Sequence, residues 1–148
     1  MPIDMQSAIV AEVIARLAAV PSFGDLVFED SVLRVIDSAD ETLPDDFIVI
    51  QPGATEELER SSPAPGSVRE RVTLNLTAIT RRRDFAQVLR AARLGIKVAL
   101  AGQKGGLAQQ GVRLVEFTTP ETPMPPGEGR RWACHVMPLQ ITYLQPLK

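Results

Sequence analysis

The stretch Arg69-Glu-Arg-Val-Thr-Leu-Asn-Leu-Thr-Ala-Ile-Thr80 constrains this chain more than any other. Val72, Leu74, Leu76 and Ala78 fall on one side of an extended backbone, and Thr73, Asn75 and Thr77 on the other. That alternation specifies a β-strand with one buried and one polar face, the pattern of an antiparallel sheet with a wet side. Trp132–Gln145 repeats it. Met137, Leu139, Ile141 and Tyr143 share one face, and Val136, Gln140, Thr142 and Leu144 the other. Pro138 in that run suggests an edge position or a bulge. Phe47–Ile50 is a compact apolar run that reads as a buried strand ended by Pro52 and Gly53. A short strand is expected near Leu33–Ile36, and another over 112–118.

Helical spacing occurs twice. Val10, Val13, Ile14 and Leu17 form one stripe within 6–19, with Asp4 or Ser7 as cap and Pro21 just beyond. Phe85, Val88, Leu89, Ala92 and Ile96 form another, with Asp84 as N-cap; this helix is expected to run to about 101 although Gly95 interrupts it. The expected fold class is therefore α+β, a single domain over 1–148, with a mostly antiparallel sheet and two main amphipathic helices packed on it. Residues 53–68 hold two Pro, two Gly and few apolar residues, and read as an exposed arm, either a plain flexible loop or one that orders against a neighbour. Residues 119–131 read as a Pro-rich exposed connection.

The chain has 148 residues, enough to bury a core without disulfides or a metal. One Cys excludes an internal disulfide framework and a Cys-rich zinc site. No apolar run approaches the ~20 residues of a membrane-spanning helix. The opening residues, interrupted by Asp4, Glu12 and Arg16, do not read as a secretion leader, so the Asn75-Leu76-Thr77 sequon is set aside.

Charge is unevenly distributed. Residues 1–59 hold 13 acidic and two basic side chains, and residues 60–148 hold 14 basic and five acidic. Either the two halves neutralise each other inside one fold, or the subunit has an acidic and a basic face suited to head-to-tail contact. The candidate assembly residues are Glu56, Glu57 and Glu59 on the arm, Arg81, Arg82 and Arg83 before the second helix, and Arg130 and Arg131 before the last strand.

Motifs for chemistry are poor. Cys134 and His135 are adjacent, but neighbours on a strand point to opposite faces and could not form a dyad. The glycine-rich run 102–111 lacks the order of a phosphate loop and follows a helix rather than a strand. No catalytic residue, metal ligand or cofactor is nominated. Seven aromatic residues with no evident stacking platform, and a net charge of −2, argue against nucleic-acid readout in spite of the triple Arg.

In size and element order the chain resembles the tail terminator proteins of long-tailed bacteriophages, the minor tail protein U-like group. The resemblance is carried by the opening helix Ala8–Val20, the Leu-Pro-Asp-Asp-Phe-Ile-Val-Ile run at 43–50, Arg69–Thr77, the Phe85–Leu100 helix and the closing Trp132–Tyr143 strand. It implies a structural, non-enzymatic virion protein of the tail or neck, assembled in the bacterial host cytoplasm. Such a protein forms a homohexameric ring on the last tail tube ring, ends tube polymerisation and presents the surface for head–tail joining. The partners implied are further copies of itself, the tail tube protein, the head–tail connector or neck protein, and the sheath protein where the tail contracts. Membranes and sequence-specific nucleic acid are not among them. The alternatives are another neck or head–tail joining protein and a small soluble ligand-binding domain.

Overall fold

The computed structural model describes residues 2–60, 66–117 and 119–148. In chain order the elements are α1 (Met5–Leu17), a 3-10 turn (Phe23–Asp25), β1 (Val27–Glu29), α2 (Val32–Ile36), β2 (Asp46–Arg60), β3 (Ser67–Thr80), α3 (Phe85–Ala99), β4 (Val112–Glu116), β5 (Thr122–Met124) and β6 (Ala133–Pro146). The six strands form one sheet in the order β1-β2-β3-β6-β4, with β5 also paired to β6. Among the described residues β1–β2 is the parallel pairing, and β2–β3, β3–β6, β4–β6 and β5–β6 are antiparallel. The fold class is α+β with a mostly antiparallel sheet.

The alternation of β3 and β6 sets the centre. Leu76 pairs with Met137, Leu74 with Leu139 and Val72 with Ile141, and all six side chains are buried on one face. α1 and α3 cover that face. Met5, Ile9, Val13 and Leu17 of α1 and Leu89, Ala92, Ile96 and Ala99 of α3 enter the same core. The Asp4 carboxylate caps α1 by accepting from the Gln6 and Ser7 amides. Asp84 occupies the N-cap position of α3 without a side-chain capping bond. Gly95 has a packing reason: a Cβ there would lie 3.0 Å from Val20 Cγ1, so glycine lets α3 approach the turn after α1.

Among the described residues, a second core covers one end of the opposite sheet face. There Phe47, Val49, Ile79, Trp132 and Cys134 pack with Val35 of α2. Ile48 and Ile50 enter the helix-side core, which explains why Phe47–Ile50 is apolar without alternation: the strand is buried on both sides.

Several expectations change. Leu33–Ile36 belongs to a helix, because the Ser31 hydroxyl accepts from the Arg34 amide and the Gln51 side chain accepts from the Val32 amide. β2 does not stop at Pro52-Gly53. It passes through a register shift between Pro52 and Thr55 and continues to Arg60, so 53–60 is strand rather than irregular arm, although exposed throughout. Glycine at 53 allows this: a Cβ there would lie 2.7 Å from the Thr73 carbonyl oxygen. The 61–65 part of the expected arm lies outside the described residues. α3 ends at Ala99, and the 119–131 connection contains β5, all three residues of it exposed. Pro138 is on an interior strand rather than an edge. It falls between the β5 ladder, which ends at Val136, and the β4 ladder, which begins at Gln140, so that flank has no strand needing its missing N–H.

Candidate assembly surface

The long β2–β3 hairpin carries the acidic candidates at one end and the arginine cluster at the other. Near the tip, Glu56 pairs with Arg71 at 3.1 Å, Glu59 with Arg69 at 3.2 Å and Glu57 with Arg60 at 2.7 Å. The Glu57–Arg60 and Glu59–Arg69 pairs are solvent-exposed, so each contributes little to stability, whereas Arg71 is half-buried. Between Glu57 and Glu59 the register shifts, leaving Leu58 as the extra residue of a bulge, 38% exposed.

At the other end, Thr80 pairs with Asp46 and the chain leaves β3 into Arg81-Arg82-Arg83. Arg81 Nε donates to Asp45 at 2.6 Å, Arg81 Nη2 donates to the Leu43 carbonyl, and its guanidinium lies 5.2 Å from the Trp132 ring centroid. Arg82 Nε donates to both oxygens of the buried Asp46 carboxylate, at 3.0 and 3.1 Å. Burial pushes that carboxyl up. Hydrogen bonds from Ser22, Thr80 and Arg82 outweigh burial and leave it below the ordinary aspartate range. Arg83 is exposed and makes no ion pair among the described residues. Arg130 pairs with Asp37 at 3.1 Å, and Arg131 is exposed with no ion pair among the described residues.

The charge asymmetry is thus partly spent within the chain. Asp37, Asp45, Asp46, Glu56 and Glu59 of the acidic half each bind an arginine of the basic half. The two sets of candidates are not brought together within one chain. Arg71 and Thr80 are nine residues apart along β3, about 30 Å of strand.

A third cluster escaped the sequence. Glu121 accepts from Arg93 Nε at 2.7 Å, lies 3.2 Å from Lys97 Nζ and 3.0 Å from His135 Nε2. Burial raises this carboxyl, and the hydrogen bonds from His135, Arg93 and Lys97 more than reverse that, holding it at about 2. Its partners are 14 to 28 residues away, so no local motif announces it. The cluster fixes the Pro-rich connection to α3 and β6. Beside it lies a groove of about 420 Å³ with an apolar lining of Phe85, Ala86, Leu89, Pro123 and Met124, and with Arg90 and His135 on its wall.

The remaining motifs have structural explanations. Cys134 packs in the second core while His135 faces the groove, and burial pushes the Cys134 thiol up to about 11. In the glycine-rich run, the Ala108 and Gln109 amides donate to the Glu12 carboxylate at 2.7 and 2.9 Å, so the chain's own acid sits where an anion would. Among the described residues no three His, Cys, Asp or Glu side chains gather as a metal site. No helix among them is long and apolar enough to cross a membrane.

The fold has a counterpart among solved structures. A chain described as "Virion of native gene transfer agent (GTA) particle" superposes with a TM-score of 0.57, covering 89% of this chain and 84% of that one. The two are 16% identical, so the likeness is one of fold. No family model matches the sequence, and no curated protein matches it.

Proposed function

We propose that this protein is a structural component of a phage-like virion that caps the tail tube as a homohexameric ring, ends tube polymerisation and forms the surface for head–tail joining. The observation that carries the reading is the likeness of fold, over nearly the whole chain, to a chain from a gene transfer agent virion. The resemblance of 43–50, 69–77 and 132–143 to tail terminator proteins supports the finer assignment. So does a sheet edge at 53–60 that is exposed along its length and charged with Glu56, Glu57, Glu59 and Arg60. Tail tube and neck proteins are the partners in this reading, and its localisation is the virion.

A joining protein on the head side is the second reading, because the same likeness of fold accommodates it. Electron microscopy of tails assembled with and without the protein separates the two. A terminator gives tubes of uncontrolled length or headless tails when absent, and capped tails of one length when present. A head-side joining protein leaves tail length unchanged and alters only head attachment. No effect on either removes both readings.

A further inference from the structure

Thr77 is buried, and its hydroxyl has no hydrogen-bond partner among the described residues. A buried polar group without a partner costs stability, so it calls for an explanation. Thr77 lies on the sheet face opposite α1 and α3, since its neighbours Leu76 and Ala78 enter the helix-side core. It lines a cavity of about 350 Å³ with Gln51, Asn75, Leu33 and Ile36 of α2, and Met124 of β5. The register sets Gln51 beside Asn75. Gln51 Oε1 is taken by the Val32 amide, and the Asn75 carboxamide makes no hydrogen bond among the described residues. A hydroxyl, a carboxamide and the free end of another thus converge between apolar walls. Arg130, the charged residue on the wall, is neutralised by Asp37, and the lips of the cavity are the exposed side chains of Leu33 and Met124. On the other side of the sheet, α3 turns a stripe of the same chemistry to solvent. Gln87, Ala91, Leu94 and Val98 recur at steps of four and three and are all exposed, Leu94 by 61% and Val98 by 66%.

We infer that the cavity over Thr77 receives the Gln87–Val98 stripe of α3 from a second copy of this chain, with the Gln87 carboxamide meeting Thr77 and Asn75, and with Leu94 and Val98 covering Leu33 and Met124. Charge selects this occupant. The flank of the stripe is basic: α3 has three cations and no acid, Arg90 has no ion pair among the described residues, and Arg93 and Lys97 share Glu121. The chain around α2 is acidic, with Asp30, Asp37, Asp40 and Glu41 against Arg34, and Asp40 and Glu41 make no ion pair among the described residues. Two α3 stripes set together would instead oppose cation to cation. Stripe and cavity lie on opposite sides of one sheet, so they meet only between chains. The contact joins two different patches and repeats head to tail, as a ring requires. The inference rests on the reading that copies of this chain assemble, and it names the surfaces by which they do.

Cysteine pairing in the full chain tests it. Leu33→Cys and Leu94→Cys both alter exposed positions, and native Cys134 is buried, so the unmodified protein is the blank. Mixed and oxidised at high concentration, the two variants should give a disulfide dimer at least fivefold above the blank, with positions 33 and 94 joined when the cross-link is mapped by mass spectrometry. Gln87→Ala in the Leu94→Cys chain should lower that yield about fivefold, the effect of one lost hydrogen bond, with its thermal midpoint unchanged. Thr77→Val in the Leu33→Cys chain keeps the size of the side chain and removes the hydroxyl. It should lower the yield by about the same factor while the free subunit becomes no less stable, the opposite of what a hydroxyl bonded within the fold would show. No link between 33 and 94, a 94-to-94 link as abundant as the mixed one, or a Thr77→Val chain that melts early or cross-links as well as before overturns the inference. Tail length in the micrographs reports separately on the capping function, so a failure of one leaves the other standing.

Discussion

The Ser22 hydroxyl donates to the Asp46 carboxylate at 2.6 Å, and Ser22 is the one non-glycine residue with positive φ, at 67°, among the described residues. A side chain in that region of backbone space is strained, and persists only where its surroundings hold it. Asp46 supplies the hold. It accepts also from Thr80 Oγ1 at 2.7 Å and from Arg82, and so ties the turn after α1 to the ends of β2 and β3. Asp46→Ala should therefore lower stability by about 2–4 kcal/mol, since it takes the acceptor from three donors, Ser22, Thr80 and Arg82, and releases the turn. The urea midpoint should fall with no change in slope. A loss below ~0.5 kcal/mol would show that the turn is held by other means.

Acid sensitivity follows from Glu121. Its folded carboxyl is depressed from 4.5 to about 2. A depressed pKa contributes stability that is fully present above the unfolded value and is lost as pH falls through the folded one. Unfolding free energy should decline between pH 4.5 and 2, with Asp46, also depressed, adding to the slope. Glu121→Gln should be less stable than the natural chain at pH 7, and the gap should narrow on acidification. A gap constant from pH 7 to pH 2.5 in urea titrations would dismiss the assignment.

Gly53 marks the place where β2 continues beyond its buried run. A Cβ at 53 would come within 2.7 Å of the Thr73 carbonyl oxygen, a backbone atom that cannot rotate away. Gly53→Ala should cost about 1–3 kcal/mol through strain and displacement of the bulge. An unchanged thermal midpoint in calorimetry would contradict the close approach.

The element types most legible in the sequence are those whose period is enforced by burial. β3 and β6 alternate because one face of each enters the helix-side core, and α1 reads as a helix from Val10, Val13, Ile14 and Leu17, of which Val13 and Leu17 are buried beside Met5 and Ile9 while Val10 and Ile14 are partly buried at the margin of the stripe. Elements specified by distant partners were not legible. α2 is only five residues long and depends on Ser31 and on Gln51 from β2, so its apolar content reads equally well as strand. The exposed half of β2 has no apolar alternation to declare it; its pairing with β3 declares it, across residues 61–65. The candidate charges were legible as types but not as partners. Arg82 meets Asp46 across 36 residues, and nothing near either position announces the other.

That partnership decides how the arginine cluster should be tested. Arg81 and Arg82 are held by Asp45 and Asp46, whereas Arg83 is exposed without an ion pair among the described residues. Reversing all three charges would confuse a folding defect with an assembly defect. Arg82→Glu places like charges against a buried carboxylate and should lower the thermal midpoint. Arg83→Glu should stay within ~0.5 kcal/mol of the natural chain, as surface changes away from such features do. If the cluster serves assembly, Arg83→Glu alone should reduce ring formation in sedimentation while its thermal midpoint holds. Should ring formation survive Arg83→Glu and fail only in the variants that also unfold early, the arginines act within the fold, and the intersubunit role passes to other residues.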